Sequence, residues 1–302
     1  MNRRMMGHLA MAGQLLMDGD YSSSRSHIER LLDLHDPALD RALVQQIGTD
    51  ARIGGWAWLP IDLFLLGYPD QARLQSTRVA LAARRGAHAP TLGWCLSAVC
   101  RFSALLGEET IFVKGVEEFT ALAAAQNFPL WLAQANAYRG WISLCAGDAE
   151  EGVRLMSDGV SGYKATGALT WLPFLMSLLA AGYRTVGDTT SEERTLDDAL
   201  ALANRTGEVW FTPELHRLKG LVYPTEYAEA ERHFRSALEI ARSQRSMLWQ
   251  LRASTSLARL WRDQGKRDEA RELLAPVYGW FTEGFDTLDL KEAKALLEEL
   301  AS

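Results

Sequence analysis

The sequence has no C-x-x-C pair, and its three cysteines, Cys95, Cys100 and Cys145, are an odd number. Neither a disulfide framework nor a zinc ribbon is built from such a set, so they read as small buried hydrophobes in a reducing compartment. There is no excess of positive charge either. The net charge is −6, with arginine far outnumbering lysine. A nucleic-acid binder needs a basic footprint to release counterions, so that class is set aside, although a local basic stripe stays compatible. No run approaches 18 apolar residues, so no membrane span is expected. The opening stretch MNRRMMGHLAMAGQLLMDGDY carries Arg3 and Arg4, but Gly7, His8, Gly13 and Gln14 break its apolar part. A secretory signal needs an unbroken apolar core and a cleavage site. The expected location is the cytoplasm.

The motifs of common chemistries are also missing. Gly265-Lys266 looks like the end of a nucleotide-binding loop, G-x-x-x-x-G-K-[ST], yet Leu260 stands at the first glycine position and Arg267 at the hydroxyl position. Without them the backbone cannot wrap phosphates and no hydroxyl holds magnesium. The histidines, His8, His27, His35, His88, His216 and His233, contain no i,i+4 pair and no H-E-x-x-H. A zinc site would need four ligands converging from separate parts of the chain. The carboxylate pairs Glu108-Glu109, Glu117-Glu118, Asp197-Asp198 and Glu298-Glu299 are adjacent, so they diverge on a helix surface and read as solvated faces. Asp197-Asp198 lacks the D-D-x-x-D spacing of a helical terpene synthase. No catalytic residue, cofactor or metal ligand is therefore expected, and a free-standing helical enzyme is the least favoured class.

What is there is a rhythm. A glycine ends one helical pattern and a polar start opens the next at Gly19, Gly67, Gly107, Gly147, Gly187 and Gly265, in steps of 48, 40, 40, 40 and 78 residues. The last step leaves room for one unit without its turn glycine, ELHRLKGLVYPTEYAEAERHFRSALEIA. Trp58, Trp94, Trp131, Trp171, Trp210 and Trp249 keep the same beat, at 36, 37, 40, 39 and 39. Pro90, Pro129, Pro173 and Pro213 accompany them, as suits the first turn of a helix. Two markers in phase indicate a repeat array. Within a unit, Ala137, Gly140, Trp141 and Leu144 recur at three and four, the face of a helix. Gly147 stops that helix and Asp148 caps the next. Each unit is thus two antiparallel helices, with the tryptophans packing between units rather than forming a ligand cage.

The spacing small residue–seven–Gly–five–small, seen as Ala258, Gly265, Ala270 and as Gly140, Gly147, Gly152, resembles tetratricopeptide (TPR) repeats, with a step longer than the usual 34. The segments ELHRLKG, LARLWRDQGKRDEARELLAPVYGWFTEGFDTLDLKEAKALL, FPLWLAQANAYRGW and LLGYPDQA resemble the C-terminal repeat region of bacterial adenylate/guanylate cyclase-like proteins, over essentially the whole chain. Those proteins join a cyclase or winged-helix domain to an ATPase and then TPR repeats. The resemblance implies an all-α, right-handed α-solenoid of about seven helix pairs plus a C-terminal capping helix. One superhelical domain over 1–302 is expected, with repeats near 8–35, 53–86, 92–126, 130–165, 171–206, 213–243 and 249–281 and the cap at 288–300. Nothing in the chain matches the cyclase or the ATPase, so it reads as a detached repeat module. Three positions depart from the pattern. Pro60 calls for a kink or a helix start, Glu192 stands where Ala is wanted, and Pro224 makes the preceding helix end early.

The expected function is interaction: a non-catalytic regulatory module for a protein or peptide partner, with a separate cyclase or ATPase domain as one candidate. A sensor holding a peptide or small metabolite in the concave groove is the alternative. Arg252, Arg259 and Arg262 lie at i, i+7 and i+10 on one first helix, and Arg217 holds a matching place one repeat earlier. By analogy with TPR arrays these four face the groove, where arginine forks suit carboxylates. The competing reading pairs them with Glu214 and Asp263, or lays their stems over neighbouring tryptophans. The apolar start MMGHLAMAGQLLM is expected to lie exposed at the N-terminal face and to allow self-association.

Overall fold

A computed structural model describes residues 2–34, 44–45, 48–86 and 88–301. His35 and the expected end of the first repeat lie outside the described residues. Among the described residues every regular element is helical and no strand occurs. The helices follow in antiparallel succession: α1 (Asn2–Met17), α2 (Tyr21–Asp33), α3 (Ala51–Trp56), α4 (Leu59–Leu66), α5 (Pro69–Gly86), α6 (Ala89–Leu106), α7 (Glu109–Ala125) and α8 (Pro129–Cys145). Then come α9 (Ala149–Ala165), α10 (Leu172–Thr185), α11 (Thr189–Thr206), α12 (Thr212–Gly220), α13 (Tyr227–Ser243), α14 (Met247–Asp263), α15 (Arg267–Tyr278) and α16 (Leu288–Ala301). Taking α3 and α4 as one broken helix, these form seven hairpins and a final helix, the architecture of a TPR-like solenoid.

Local chemistry sets the boundaries. Gly67 stops α4 with φ 98°, a left-handed conformation that costs glycine little. The same turn recurs at Gly19, Gly107, Gly147, Gly187 and Gly265. Asp20, Asp148 and Asp188 follow three of them, and each carboxylate accepts the N–H three residues on. Pro60 lies in the first turn of α4, so the chain breaks into two helices there instead of kinking one. α12 ends at Gly220, before Pro224, as a helix of nine residues.

One apolar cluster runs from Ala12 and Leu16 of α1 to Leu248 and Trp249 of α14. Tightest is the α8–α9 hairpin. A methyl group on Gly140 would lie 2.6 Å from the Gly152 carbonyl oxygen, and one on Gly159 would lie 2.5 Å from the Ala137 nitrogen. Glycine there lets the backbones touch. A second cluster, with Leu251, Ala258, Leu274, Phe281, Leu290 and Leu296, packs α14, α15 and the strap after them against the terminal helix. α6 is long and apolar enough to cross a membrane, but 72% of it is buried inside the protein. The expectation of no such segment counted only uninterrupted apolar runs.

The solenoid also closes on itself, which periodicity did not foretell. The Met17 carbonyl accepts from the amides of Val209 (2.8 Å) and Trp210 (3.0 Å). The Tyr21 hydroxyl donates to the Trp210 carbonyl (2.8 Å), and Ser246 Oγ donates to the Leu65 carbonyl (2.8 Å). These contacts seat α1, α2 and α4 on the repeats formed by α12–α14. In the N-terminal apolar stretch, Met5, Ala12 and Leu16 are fully buried within the chain, and Met11 is exposed. The expectation of an open N-terminal apolar face is corrected accordingly, because α2 and α3 cover it, with Met5 packed on Leu31 and Leu9 set against Gly54 and Gly55.

Candidate interaction site: the concave pocket

The curvature leaves a concave pocket of about 440 Å³ between α6, α8, α10, α12, α14 and α16. One wall is apolar: Leu105, Trp141, Phe174, Leu178, Phe211 and Leu218. The opposite wall is polar: Thr255, Ser256 and Arg259 of α14, with Asp289 and Glu292 of α16. α14 supplies that wall because its other face, including Ala253, Leu257 and Ala258, is buried in packing.

Three of the four arginines expected in the groove, Arg217, Arg252 and Arg259, do line this pocket. Arg262 does not. It lies at the outer edge, paired with Asp263 (2.8 Å) and Glu299 (2.9 Å). None of the three in the pocket stands as an open cation. Arg217 grips Glu214 through both oxygens, at 2.7 and 2.8 Å. Arg252 donates to Asp289 (2.7 Å), to Glu214 (3.4 Å) and to the Leu105 carbonyl (2.6 Å), tying three walls together. Arg259 holds Glu292 (2.8 Å) with one N–H and is 42% exposed. The competing pairing with Glu214 and Asp263 is therefore also realised, and the groove is charge-balanced rather than basic. Burial disfavours the Glu214 carboxylate, but the neighbouring Arg217 and Arg252 guanidiniums outweigh it and hold its pKa below the ordinary value. Burial likewise disfavours the Arg252 cation, and Asp289 and Glu214 reverse that, raising its pKa.

Arg184, another pocket residue, escaped the sequence reading. The signal was available, since it sits three residues before turn glycine Gly187, as Arg262 does before Gly265. It pairs with buried Glu192, the residue that replaced the expected alanine, and reaches the Leu218 carbonyl (3.2 Å). The Thr255 hydroxyl is buried in the wall without a hydrogen-bond partner. No period in the sequence marks it.

The remaining titratable clusters are structural. His8 faces His27 (Nδ1···Nδ1 3.1 Å), and His216 faces His233 (3.3 Å). Arg232 donates to His233 Nε2 (3.0 Å), so the proton of His233 is on Nδ1 and is given to His216. Burial, then the Arg232 charge, depress the His233 pKa to about 4. Among the described residues no three His, Cys, Asp or Glu side chains converge as metal ligands do. Burial pushes the Cys95 thiol up to about 12, and Cys100 is raised by the same cause.

Solved structures share this fold. The chain is similar to a Rap protein complexed with competence and sporulation factor, at 12% identity and a TM-score of 0.64, over 99% of this chain and 88% of that one. It is similar to a tetratricopeptide repeat protein from Parabacteroides merdae, at 10% identity and a TM-score of 0.50, over 99% of this chain and 100% of that one. The Cut9–Hcn1 hetero-tetramer of the APC/C gives 11% and 0.55, over 98% of this chain and 55% of that one. At such identities the likeness is one of fold, a TPR-type repeat array. No protein-family model matches the chain. No curated protein matches it either.

Proposed function

We propose that this chain is a non-catalytic regulatory interaction module that takes a short extended segment of a protein partner into the concave pocket. The pocket itself carries this reading. Its volume, about 440 Å³, falls in the range of ligand clefts, roughly 300–1,000 Å³. That space admits a few side chains, not the surface of a folded domain. An apolar side chain fits against Phe174 and Phe211, and a neighbouring carboxylate replaces Glu292 on Arg259, whose contact is single and half exposed. Arg217 and Arg252 form the fixed floor. The fold shared with a Rap protein, solved with its competence and sporulation factor, supports the reading. The resemblance to the repeat regions of cyclase-like proteins supports the wider setting: one superhelical domain over 1–302 with the repeats given above, in the bacterial cytoplasm, acting in signal transduction on a cyclase or ATPase partner. Self-association through the first repeat would rest on Met11. A small acidic metabolite is the second reading, favoured by the unpartnered Thr255 hydroxyl.

A displayed random-peptide library selected on the immobilised chain tests this. Enriched sequences should place an acidic residue beside an apolar one, and their binding should vanish on Arg259→Glu. Peptides that bind the variant equally well contradict the pocket as the site. Enrichment of nothing, with a thermal shift on adding dicarboxylates, selects the metabolite reading.

A further inference from the structure

We propose that the strap at 279–287, between α15 and α16, is a clasp that gates the concave pocket. This rests on the reading of the pocket as a binding site, and names how access to it is controlled.

The closure of the superhelix has two unlike parts. One is buried: Met17 and Tyr21 against Val209 and Trp210, and Leu65 against Ser246. The other is polar and open to water. The Glu283 carboxylate accepts from the amides of Asp70 (3.0 Å) and Gln71 (3.1 Å), capping α5 from the far end of the chain. Asp70 returns the contact by accepting from the Gly284 amide (3.0 Å). Arg73 then bridges Asp286 (2.8 Å) on the strap to Glu108 (2.7 Å), which follows pocket residue Gly107. Exposed polar pairs hold weakly and are screened by salt, whereas the buried seam is not. The ring therefore opens first at the strap.

What the strap carries makes this a gate. It runs directly into Leu288, Asp289 and Glu292, which are pocket wall. Releasing Glu283 and Asp286 frees the strap and Leu288, at the pocket rim, to lift away from Gly107, while Asp289 and Glu292 stay on α14 through Arg252 and Arg259 and α14 stays seated on the buried seam. Trp280, resting on Tyr68 with ring centroids 5.8 Å apart, is the apolar bearing of the movement.

The test needs no ligand. In a Cys145→Ser background, Thr255→Cys places a thiol in the pocket wall where no hydrogen bond is lost. Its rate of modification by a fluorescein maleimide is measured in the full chain. Arg73→Ala with Glu283→Ala should raise the rate about tenfold, the combined effect expected of a few exposed polar contacts. Raising salt should speed the parent in the same direction. Cys95 and Cys100 are buried and should stay unlabelled throughout. If the double variant labels them, it has unfolded and the salt arm decides. An unchanged pocket rate in the folded double variant, or across the salt series of the parent, overturns the gate. A raised rate with no peptide enriched on the chain leaves the gate standing and removes the binding reading, so the two failures are distinct.

Discussion

The six tryptophans that beat time through the sequence fall into two groups. Trp171, Trp210 and Trp249, in the C-terminal half, are buried, and Trp210 has no exposed surface. Trp58 and Trp131 are half-buried, and Trp94 is 39% exposed. Trp131 and Trp249 are each the third residue of their helix, α8 and α14, yet only Trp249 is buried, so position within a hairpin does not decide burial. The return of α1 and α2 does. They cover the Trp210 backbone, and Trp171, Trp210, Phe211 and Trp249 then stack edge to face and tilted, with centroids 5.0 to 5.5 Å apart. In the N-terminal half Trp58 and Trp94 touch each other at 5.8 Å, with no such cover over Trp94.

The sharpest way to break this comparison is truncation. Trp210→Ala should cost about 3–5 kcal/mol in urea unfolding, as for a fully buried aromatic. Trp94→Ala should cost about 1 kcal/mol or less, the usual effect at a partly exposed position. Equal losses would mean the two groups do not differ.

Next comes the joint of the buried group. Trp171 has φ 68°, a strained value for a bulky residue, and its amide donates to both oxygens of Glu208 at 2.9 and 3.0 Å. The Trp210 indole donates to the same carboxylate (3.0 Å), and the Arg101 guanidinium lies 3.7 Å from the centre of the Trp171 ring. Burial pushes the Glu208 carboxyl up to about 7, against those N–H donors and the Arg101 charge. The folded state thus keeps a proton that the unfolded chain releases near its ordinary carboxylate pKa. The resulting stability is fully present below that value and is lost as pH rises through about 7. Urea unfolding should show a decline of at most about 3 kcal/mol over that window, and Glu208→Gln should flatten it. A parent with no such slope contradicts the assignment.

Smaller effects sharpen the contrast in the middle and at the rim. The α8–α9 hairpin holds by backbone approach rather than by a buried tryptophan, so Gly159→Ala should cost about 1–3 kcal/mol through overpacking. Thermal unfolding checks it, and an unchanged midpoint would mean the helices separate freely. Arg262→Ala, at the exposed edge, should cost less than about 1 kcal/mol. A larger loss in the same experiment would give that edge a structural role that its pairs with Asp263 and Glu299 do not indicate.

The helices were legible because their signals are local. Turn glycines, capping aspartates and first-turn prolines act on neighbouring residues, so spacing alone reveals them, down to the break at Pro60 and the short α12. Closure was not legible. The Met17 carbonyl meets amides nearly two hundred residues later, and a main-chain acceptor has no sequence signature. The pocket was half legible: Arg217, Arg252 and Arg259 were found by helical spacing, but Asp289 and Glu292 look like any solvated helix face until α16 folds back on α14. The unequal burial of the tryptophans shares that cause, since it depends on which repeats the N-terminal helices reach.

The closed superhelix is tested most directly at the amides of Val209 and Trp210. They lie in the turn between α11 and α12, and their acceptor is the Met17 carbonyl of α1. Hydrogen exchange resolved to these two amides should show slow exchange in the intact chain, and rapid exchange once residues 2–33 are deleted. Exchange as fast as that of an open surface turn, in the intact chain, would contradict the closure and with it the pocket and its clasp.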